Sequence, residues 1–98
     1  MTVKLSLNVN GALIDTDYFV EDFIDHTVSG MVESLKGTSE IKDLNLAIDG
    51  DEVTVNLNGD MVTLNAFASK ILKSTIIGMV SPLKGVDNVR TLNIVLNK

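Results

Sequence analysis

Cysteine is absent from this 98-residue sequence, which excludes disulfides, thiolate catalysis and zinc–thiolate sites together. Tryptophan is absent as well, proline occurs once, and only four residues are aromatic, so the core must be aliphatic. No apolar run approaches the 18 or so residues that a membrane-spanning helix needs. We therefore expect one domain without a membrane span.

Positive charge is also scarce. Eight basic residues face 13 acidic ones, the formal net charge is −5, and the only arginine is Arg90. A nucleic-acid binder needs clustered Lys and Arg to displace counterions from phosphates, so we expect no nucleic-acid partner. The first residues lack the pattern of a signal peptide, so the expected location is cytoplasmic.

What the sequence does contain is an internal repeat. Residues 6–49 align without a gap on residues 54–97, and 13 of the 44 aligned pairs are identical. The identities concentrate in Asn8-x-Asn10-Gly11, in Gly30–Gly37 and in Leu44-Asn45, each matched 48 positions later. A repeat of this length indicates one supersecondary unit used twice, with repeat one over about 1–49 and repeat two over about 50–98.

Each repeat reads as a ββαβ unit. Residues 3–9 and 52–57 alternate apolar with polar side chains, as half-buried strands do. Asn10-Gly11 and Asn58-Gly59 predict type I′ hairpin turns, because Asn and Gly accept the positive φ that these turns require. Short return strands are expected at 12–15 and 60–64, and closing strands at 43–48 and 91–96.

The helices are expected to begin after Asp15–Asp17 and after Asn65, which are good N-caps, and to run to Gly37 and Gly85. Pro82 predicts a kink or tightening near 78–82. Apolar residues and threonines fill the same nine positions in both helices and form a stripe roughly 220° wide, broader than an ordinary amphipathic face. Each helix should therefore meet the sheet on one side and a second helix or a second chain on another.

These elements predict an α+β fold made by internal duplication of a ββαβ unit. It should contain six mainly antiparallel strands and two long amphipathic helices, related by a pseudo-twofold. Two strand pairings stay open. A right-handed crossover within each repeat gives the order 2-1-3, whereas Asp49-Gly50 predicts a hairpin between the repeats that competes for the same edge.

Glycine recurs inside both helices, at Gly30 and Gly78, each followed by a methionine, Met31 and Met79. Glycine costs about 1 kcal/mol relative to alanine in a helix, so a shared geometric need is indicated. The favoured interpretation is close approach of the helix to a neighbour, and the alternative is a groove that admits a ligand. Phosphate binding is not expected, because these glycines do not precede a helix N-terminus.

His26 is the only histidine, and Asp22 and Asp25 lie one helical turn away and next to it. Such a cluster could supply a general base or part of a metal site. The matching residues of repeat two are Lys70, Lys73 and Ser74, so no second half-site exists. We expect no metal or cofactor site and interpret His26 as a surface residue.

The largest difference between the repeats is charge, since Asp22 and Asp25 are matched by Lys70 and Lys73. In antiparallel helices Asp22 could face Lys73, and Asp25 could face Lys70. The same pairing could form between chains, or these side chains could simply be solvated. Exposed pairs contribute only about 0–1 kcal/mol but can select register and partner.

Asparagine is frequent on or beside the strands, at Asn8, Asn10, Asn45, Asn56, Asn58 and Asn93. Asparagine is a poor strand former, so its repetition calls for an explanation. A solvated face, with Asn10 and Asn58 serving the turns, is the favoured interpretation, and a surface that binds a peptide or a sugar is the alternative.

The sequence therefore predicts a non-catalytic interaction or accessory module. Its apolar fraction of 45 % and mean hydropathy of +0.27 indicate surplus apolar helix surface, and such surface usually marks an interface. We expect a homo-oligomer, with a dimer favoured, or docking on a partner protein. The alternative is a binder of a small apolar molecule in a pocket between the repeats. An enzyme that uses His26 with Asp22 or Asp25 is the least favoured interpretation.

Overall fold

The chain folds into one six-stranded sheet and two helices in a computed structural model that describes residues 4–36 and 40–97. The elements in chain order are β1 (Lys4–Val9), β2 (Ala12–Leu13), α1 (Tyr18–Lys36), β3 (Asp43–Asp49), β4 (Glu52–Leu57), β5 (Asp60–Val62), α2 (Ala66–Val80) and β6 (Thr91–Asn97). The predicted α+β class with six strands and two helices is confirmed. The return strands β2 and β5 are shorter than expected.

The strand order is β2-β1-β6-β3-β4-β5, and every neighbouring pair is antiparallel. Of the two pairings that the sequence left open, the hairpin between the repeats forms. Asp49 pairs with Glu52, and Gly50 takes a φ of +60° in the turn. A two-residue loop closes at a smaller entropy cost than a crossover. The order 2-1-3 within a repeat does not form, since β6 takes the place beside β1.

Both Asn-Gly turns have the predicted type I′ backbone. Asn10 and Gly11 have φ of +52° and +83°, and Asn58 and Gly59 have φ of +51° and +87°. The turns join β1 to β2 and β4 to β5 through two-residue loops. Their geometry fixes the register of the two edge hairpins.

One face of the sheet forms the core under both helices. A row of side chains crosses the four inner strands at Leu7, Ile94, Leu46 and Val55, and all four are buried. The helices cover this row with the buried side chains Ile24, Val28 and Val32 of α1 and Leu72, Ile76 and Val80 of α2. The spacing of four residues on each helix is typical of one buried helix face.

The helix starts follow the predicted capping. Asp17 Oδ1 accepts a hydrogen bond from the Val20 N–H at 2.9 Å, and Asn65 Oδ1 accepts one from the Ala68 N–H at 2.7 Å. Each bond satisfies one of the amide donors that a helix leaves free at its first turn.

The predicted end of the second helix is wrong. α2 stops at Val80 with Ser81 as its C-cap, rather than kinking and continuing to Gly85. Pro82 has no N–H to donate, so the helical hydrogen-bond ladder cannot pass through it. Gly85 has a φ of +90° within the turn that follows. The matching stop of α1 at Gly37 lies outside the described residues.

Candidate interaction surface between the helices

The two helices run antiparallel over the sheet and leave a large apolar groove between them. Groove 1 lies between the C-terminal half of α1 and the N-terminal half of α2 and has a volume of about 660 Å³. Its walls include Met31 and Leu35 from α1 and Phe67 and Ile71 from α2, and Gly30 lines it as well. Gly30, Phe67 and Ile71 of its lining are exposed to solvent.

A second, smaller groove lies at the other end of the helix pair. Groove 2 has a volume of about 350 Å³ and is lined by Phe19 and Phe23 of α1 and by Gly78 and Met79 of α2, among others. These residues are the counterparts, 48 positions apart, of residues that line groove 1. The repeat therefore supplies the same apolar positions to both grooves.

Large apolar side chains along both grooves are exposed to solvent. We define the helix patch as Phe19, Phe23, Leu35, Phe67 and Ile71, which are the exposed large hydrophobic residues of the two helices that line the grooves. Phe19 is 75 % exposed and Phe67 is 70 % exposed. The rings of Phe19 and Phe23 lie 6.2 Å apart between centroids, so the patch is continuous at this end.

The patch residues were not singled out from the sequence, although they belong to the nine-position stripe. The signal that could have identified them is the width of the stripe. A single sheet buries only the sector at Ile24, Val28 and Val32 in α1, so positions about half a turn from Val28 are left outside it. Phe19 and Phe23 occupy that outer sector.

The favoured interpretation of the helix glycines is wrong within the described chain. A Cβ placed on Gly30 or on Gly78 would meet no heavy atom within 4 Å. No neighbouring element approaches either glycine, because a groove separates the helices there. Gly30 lines groove 1 and Gly78 lines groove 2.

Lys73 does not pair with helix α1. Its Nζ lies 2.7 Å from Oδ1 of Asp51 in the turn between β3 and β4. Within the described residues 4–36 and 40–97, this is the one ion pair. The hydrogen bond from Lys73, together with its charge, lowers the pKa of Asp51 below its ordinary value of 3.8. The pairing of Asp22 with Lys73 inside one chain, one of the alternatives that the sequence left open, does not form among the described residues, because Lys73 contacts Asp51 instead.

Asp25 is buried, although the sequence groups it with the charged residues that could pair between the helices. It is 5 % exposed and accepts a hydrogen bond from Ser29 Oγ at 3.0 Å, one turn further along α1. Hydrogen bonds to a buried carboxylate offset part of the free-energy cost of removing it from water. Asp25 is buried on α1, whereas Lys70 is exposed on α2.

His26 lies exposed on α1, as does Asp22. In the part of the chain that the structure describes, no three His, Asp or Glu side chains are grouped so that they could hold a metal ion. The structure therefore does not assemble His26 with its acidic neighbours into a larger cluster.

The asparagines within the strands lie on the sheet face opposite the helices, and Asn10 and Asn58 lie in the turns. Asn8 pairs with Asn93, and Asn45 with Asn56, in two neighbouring rows of the open sheet face. Asn58 accepts from the amides of Lys42 and Asp43 at 2.8 and 3.0 Å. The expected role of the turn asparagines is thus extended, since they also hold the chain segments that lead into β3 and β6.

Asn10 makes the corresponding contacts at the other end of the sheet. Its Oδ1 accepts from the amides of Arg90 and Thr91 at 2.8 and 3.1 Å. Its Nδ2 donates to the carbonyls of Asp87 and Asn88 at 3.0 Å. Each turn asparagine therefore binds, through hydrogen bonds, the segment that leads into the last strand of the other repeat.

Neither α1 nor α2, nor any other helical stretch of the described residues, is both long and apolar enough to cross a bilayer. In comparisons with known proteins, no protein-family model, no curated protein and no solved structure matches this chain.

Proposed function

We propose that this chain is a non-catalytic interaction module that self-associates, with two copies meeting through the helix patch. The observation that carries the proposal is the exposure of Phe19, Phe67 and their neighbours along the grooves. Exposed apolar surface concentrated on one layer of a fold usually marks an interaction site. Aromatic side chains are also the residues that contribute most to the centres of protein interfaces.

The area of the helix patch suits a dimer. Its five side chains expose about 500 Å² per chain, if a fully exposed large apolar side chain presents about 175 Å². Two copies would bury about 1,000 Å² from these residues alone, the size at which specific interfaces begin. A second copy brings an identical apolar patch, so one contact covers both.

We further propose that the two halves are copies of one ββαβ unit related by a pseudo-twofold. Exchanging β1 with β4, β2 with β5 and β3 with β6 converts the strand order into its own reverse. The matched linings of grooves 1 and 2 give further support. Under this proposal the helix patch is itself symmetric, and a second copy finds equivalent contacts at both ends.

The test is the mass of the protein in solution. Sedimentation equilibrium from about 1 to about 100 µM, a range that covers interfaces of this size, should show a dimer that dissociates on dilution. Replacing Phe19 and Phe67 with serine should shift the protein to the monomer. The matched control replaces Leu13 and Met61 with serine, since each is 68 % exposed and lies on the edge strands β2 and β5 rather than on the helices. A wild-type monomer at every concentration would overturn the proposal.

A second candidate function is binding of a small apolar molecule in groove 1. Its volume of about 660 Å³ lies within the range of ligand pockets, about 300–1,000 Å³. Apolar residues dominate the lining, and the hydroxyls of Thr27, Ser34 and Thr75 could orient a ligand. Native mass spectrometry of freshly purified protein should then show a retained mass that is lost in Gly30→Leu. Gly78→Leu in groove 2 is the matched control and should retain it.

A further inference from the structure

The two helices carry opposite net charge. Helix α1 contains four acidic residues and one lysine, whereas α2 contains two lysines and no acidic residue. The helices also form the layer in which the helix patch is exposed. Charge must therefore influence how two such layers can face each other.

Only part of this charge is available to a second molecule. Asp25 is buried beside Ser29, and Lys73 is engaged by Asp51. Asp22 and Glu33 of α1 are exposed, and so is Lys70 of α2. Glu21 of α1 is only partly exposed and accepts a hydrogen bond from Thr16 Oγ1 at 2.9 Å. Among the side chains that the structure describes, Asp22 and Glu33 are therefore the exposed carboxylates of α1, and Lys70 is the exposed lysine of α2.

The outward charges border the helix patch. Asp22 and Glu33 are 11 residues apart, which is close to three full turns, so they lie on the same side of α1. That side adjoins Phe19, three residues before Asp22. Lys70 holds the same position beside Phe67 on α2. The helix layer thus has an apolar centre and a polar rim, as interfaces commonly have. The rim is acidic along α1 and basic along α2.

We infer that α1 of one copy lies against α2 of the other in the dimer, with Lys70 facing the acidic rim at Asp22 and Glu33. The inference rests on the proposed self-association and specifies its geometry. A twofold contact that places α1 on α1 would bring two acidic rims together and two lysines together, which is unfavourable. The crossed arrangement forms the attractive contact twice, once for each copy.

The experiment uses two variants, each with the charge of one rim reversed. In the variant Asp22→Lys/Glu33→Lys both rims are basic, and in the variant Lys70→Glu both rims are acidic. Each variant alone should self-associate at least about tenfold more weakly than the wild type, since each dimer would then contain repulsive contacts. An equimolar mixture should form a mixed dimer of near wild-type affinity, because its rims are again opposite in charge.

Native mass spectrometry identifies the mixed dimer by its mass, and sedimentation equilibrium gives its dissociation constant. Rescue by mixing cannot occur if either variant is unfolded, so it also reports that both fold. Variants that alone associate as tightly as the wild type would overturn the inference, and so would a mixture that associates no better than its components. A monomeric wild type is a different result, because it overturns the proposed self-association itself.

Salt provides an independent measurement. At about 1 M NaCl the Debye length falls to about 3 Å, so repulsion between the exposed rims is screened. The dissociation constants of both variants should approach the wild-type value there. A difference that persists at high salt would show altered packing rather than charge, and would overturn the inference.

Matched controls carry the same charge changes outside the helix layer. Lys42→Glu changes an exposed lysine just before β3, and Asp43→Lys/Glu52→Lys changes two exposed acidic residues on β3 and β4. Neither should change self-association by more than about twofold, since neither lies in the helix layer. Equal weakening by these controls would assign the effect to net charge and would contradict the crossed arrangement.

Discussion

Asn93 donates a hydrogen bond from its Nδ2 to Oδ1 of Asn45 at 2.8 Å, between the two central strands β6 and β3. The two residues are counterparts in the repeat, 48 positions apart. The same Nδ2 also lies 3.2 Å from the carbonyl oxygen of Leu46. The halves of the chain are therefore joined on the open sheet face by side chains as well as by the strand ladder.

Replacing Asn93 with alanine should destabilise the fold by about 1 kcal/mol, because a hydrogen bond contributes about that much. Asn45→Ala should cost less, since Asn93 keeps its contact with Leu46. The double variant should be less destabilised than the sum of the single effects, by about 0.5 kcal/mol, because both single changes remove the same bond. Urea denaturation measures each value, and strict additivity would show that the bond contributes nothing.

Asn56→Ala is the control for this cycle. Asn56 lies on the same open face, paired with Asn45 in the strand register, and its side chain makes no hydrogen bond within the described ranges 4–36 and 40–97. Its replacement should change stability by no more than about 0.5 kcal/mol.

Features of the fold that depend on neighbouring residues were predictable from the sequence, and features that depend on distant residues were not. The Asn10-Gly11 turn and the Asn65 cap were predictable because they depend on a few adjacent residues. The end of α2 at Val80 was missed because Pro82 was weighed as a distortion against the apolar pattern, which continues to Leu83. Strand order stayed open because two pairings fitted the same sequence, and only the packed sheet selects between them.

The candidate surface was predictable in kind but not in position. The width of the apolar stripe indicated surface in excess of what a sheet covers, which is where Phe19 and Phe67 lie. Gly30 and Gly78 were assigned to close packing because sequence alone does not give the distance between helices. The contact of Lys73 with Asp51 was not predicted, because it depends on how the helix is rotated over the hairpin.

Asn58 should tolerate glycine better than alanine. Its side chain accepts two backbone amides and donates to the carbonyl of Glu40, and its φ is +51°. Asn58→Gly loses these hydrogen bonds but keeps an acceptable backbone, at an expected cost of about 1–2 kcal/mol. Asn58→Ala adds the left-handed strain of about 1 kcal/mol. Chemical denaturation of both variants gives the two contributions separately.

Asn88→Gly is the matched control for Asn58. Asn88 also has a positive φ, +43°, but in the described part of the chain its side chain makes no hydrogen bond. Glycine there should be neutral or slightly stabilising, within about 0.5 kcal/mol. A loss equal to that of Asn58→Gly would show that backbone freedom, rather than the side-chain contacts, decides both results.

Gly30→Ala should stabilise the monomer. A Cβ at this position meets no heavy atom within 4 Å, and alanine gains about 0.5–1 kcal/mol over glycine inside a helix. Gly78→Ala should behave in the same way. Gly85→Ala should destabilise, because the φ of Gly85 is +90°. Thermal unfolding measures all three, with shifts of several degrees expected per kcal/mol for a domain of this size.

Loss of stability in Gly30→Ala would indicate a close contact at this position that the monomer lacks. Repeating the measurement across protein concentrations shows whether that contact lies between two chains or within one, since only a contact between chains depends on concentration. Gly85→Ala serves as the internal reference because its effect should be independent of concentration.

Removal of Lys73 should raise the pKa of Asp51. The hydrogen bond and charge of Lys73 lower that pKa below 3.8, so the ion pair stabilises the fold above the unfolded-state pKa and the contribution disappears as pH falls through the folded-state pKa. NMR titration of the Asp51 carboxyl should give a midpoint below 3.8 in the wild type and one near 3.8 in Lys73→Gln. Lys70→Gln should leave the Asp51 midpoint unchanged, because Lys70 makes no ion pair among the described residues. Equal shifts in both variants would assign the effect to overall charge and would contradict the direct contact.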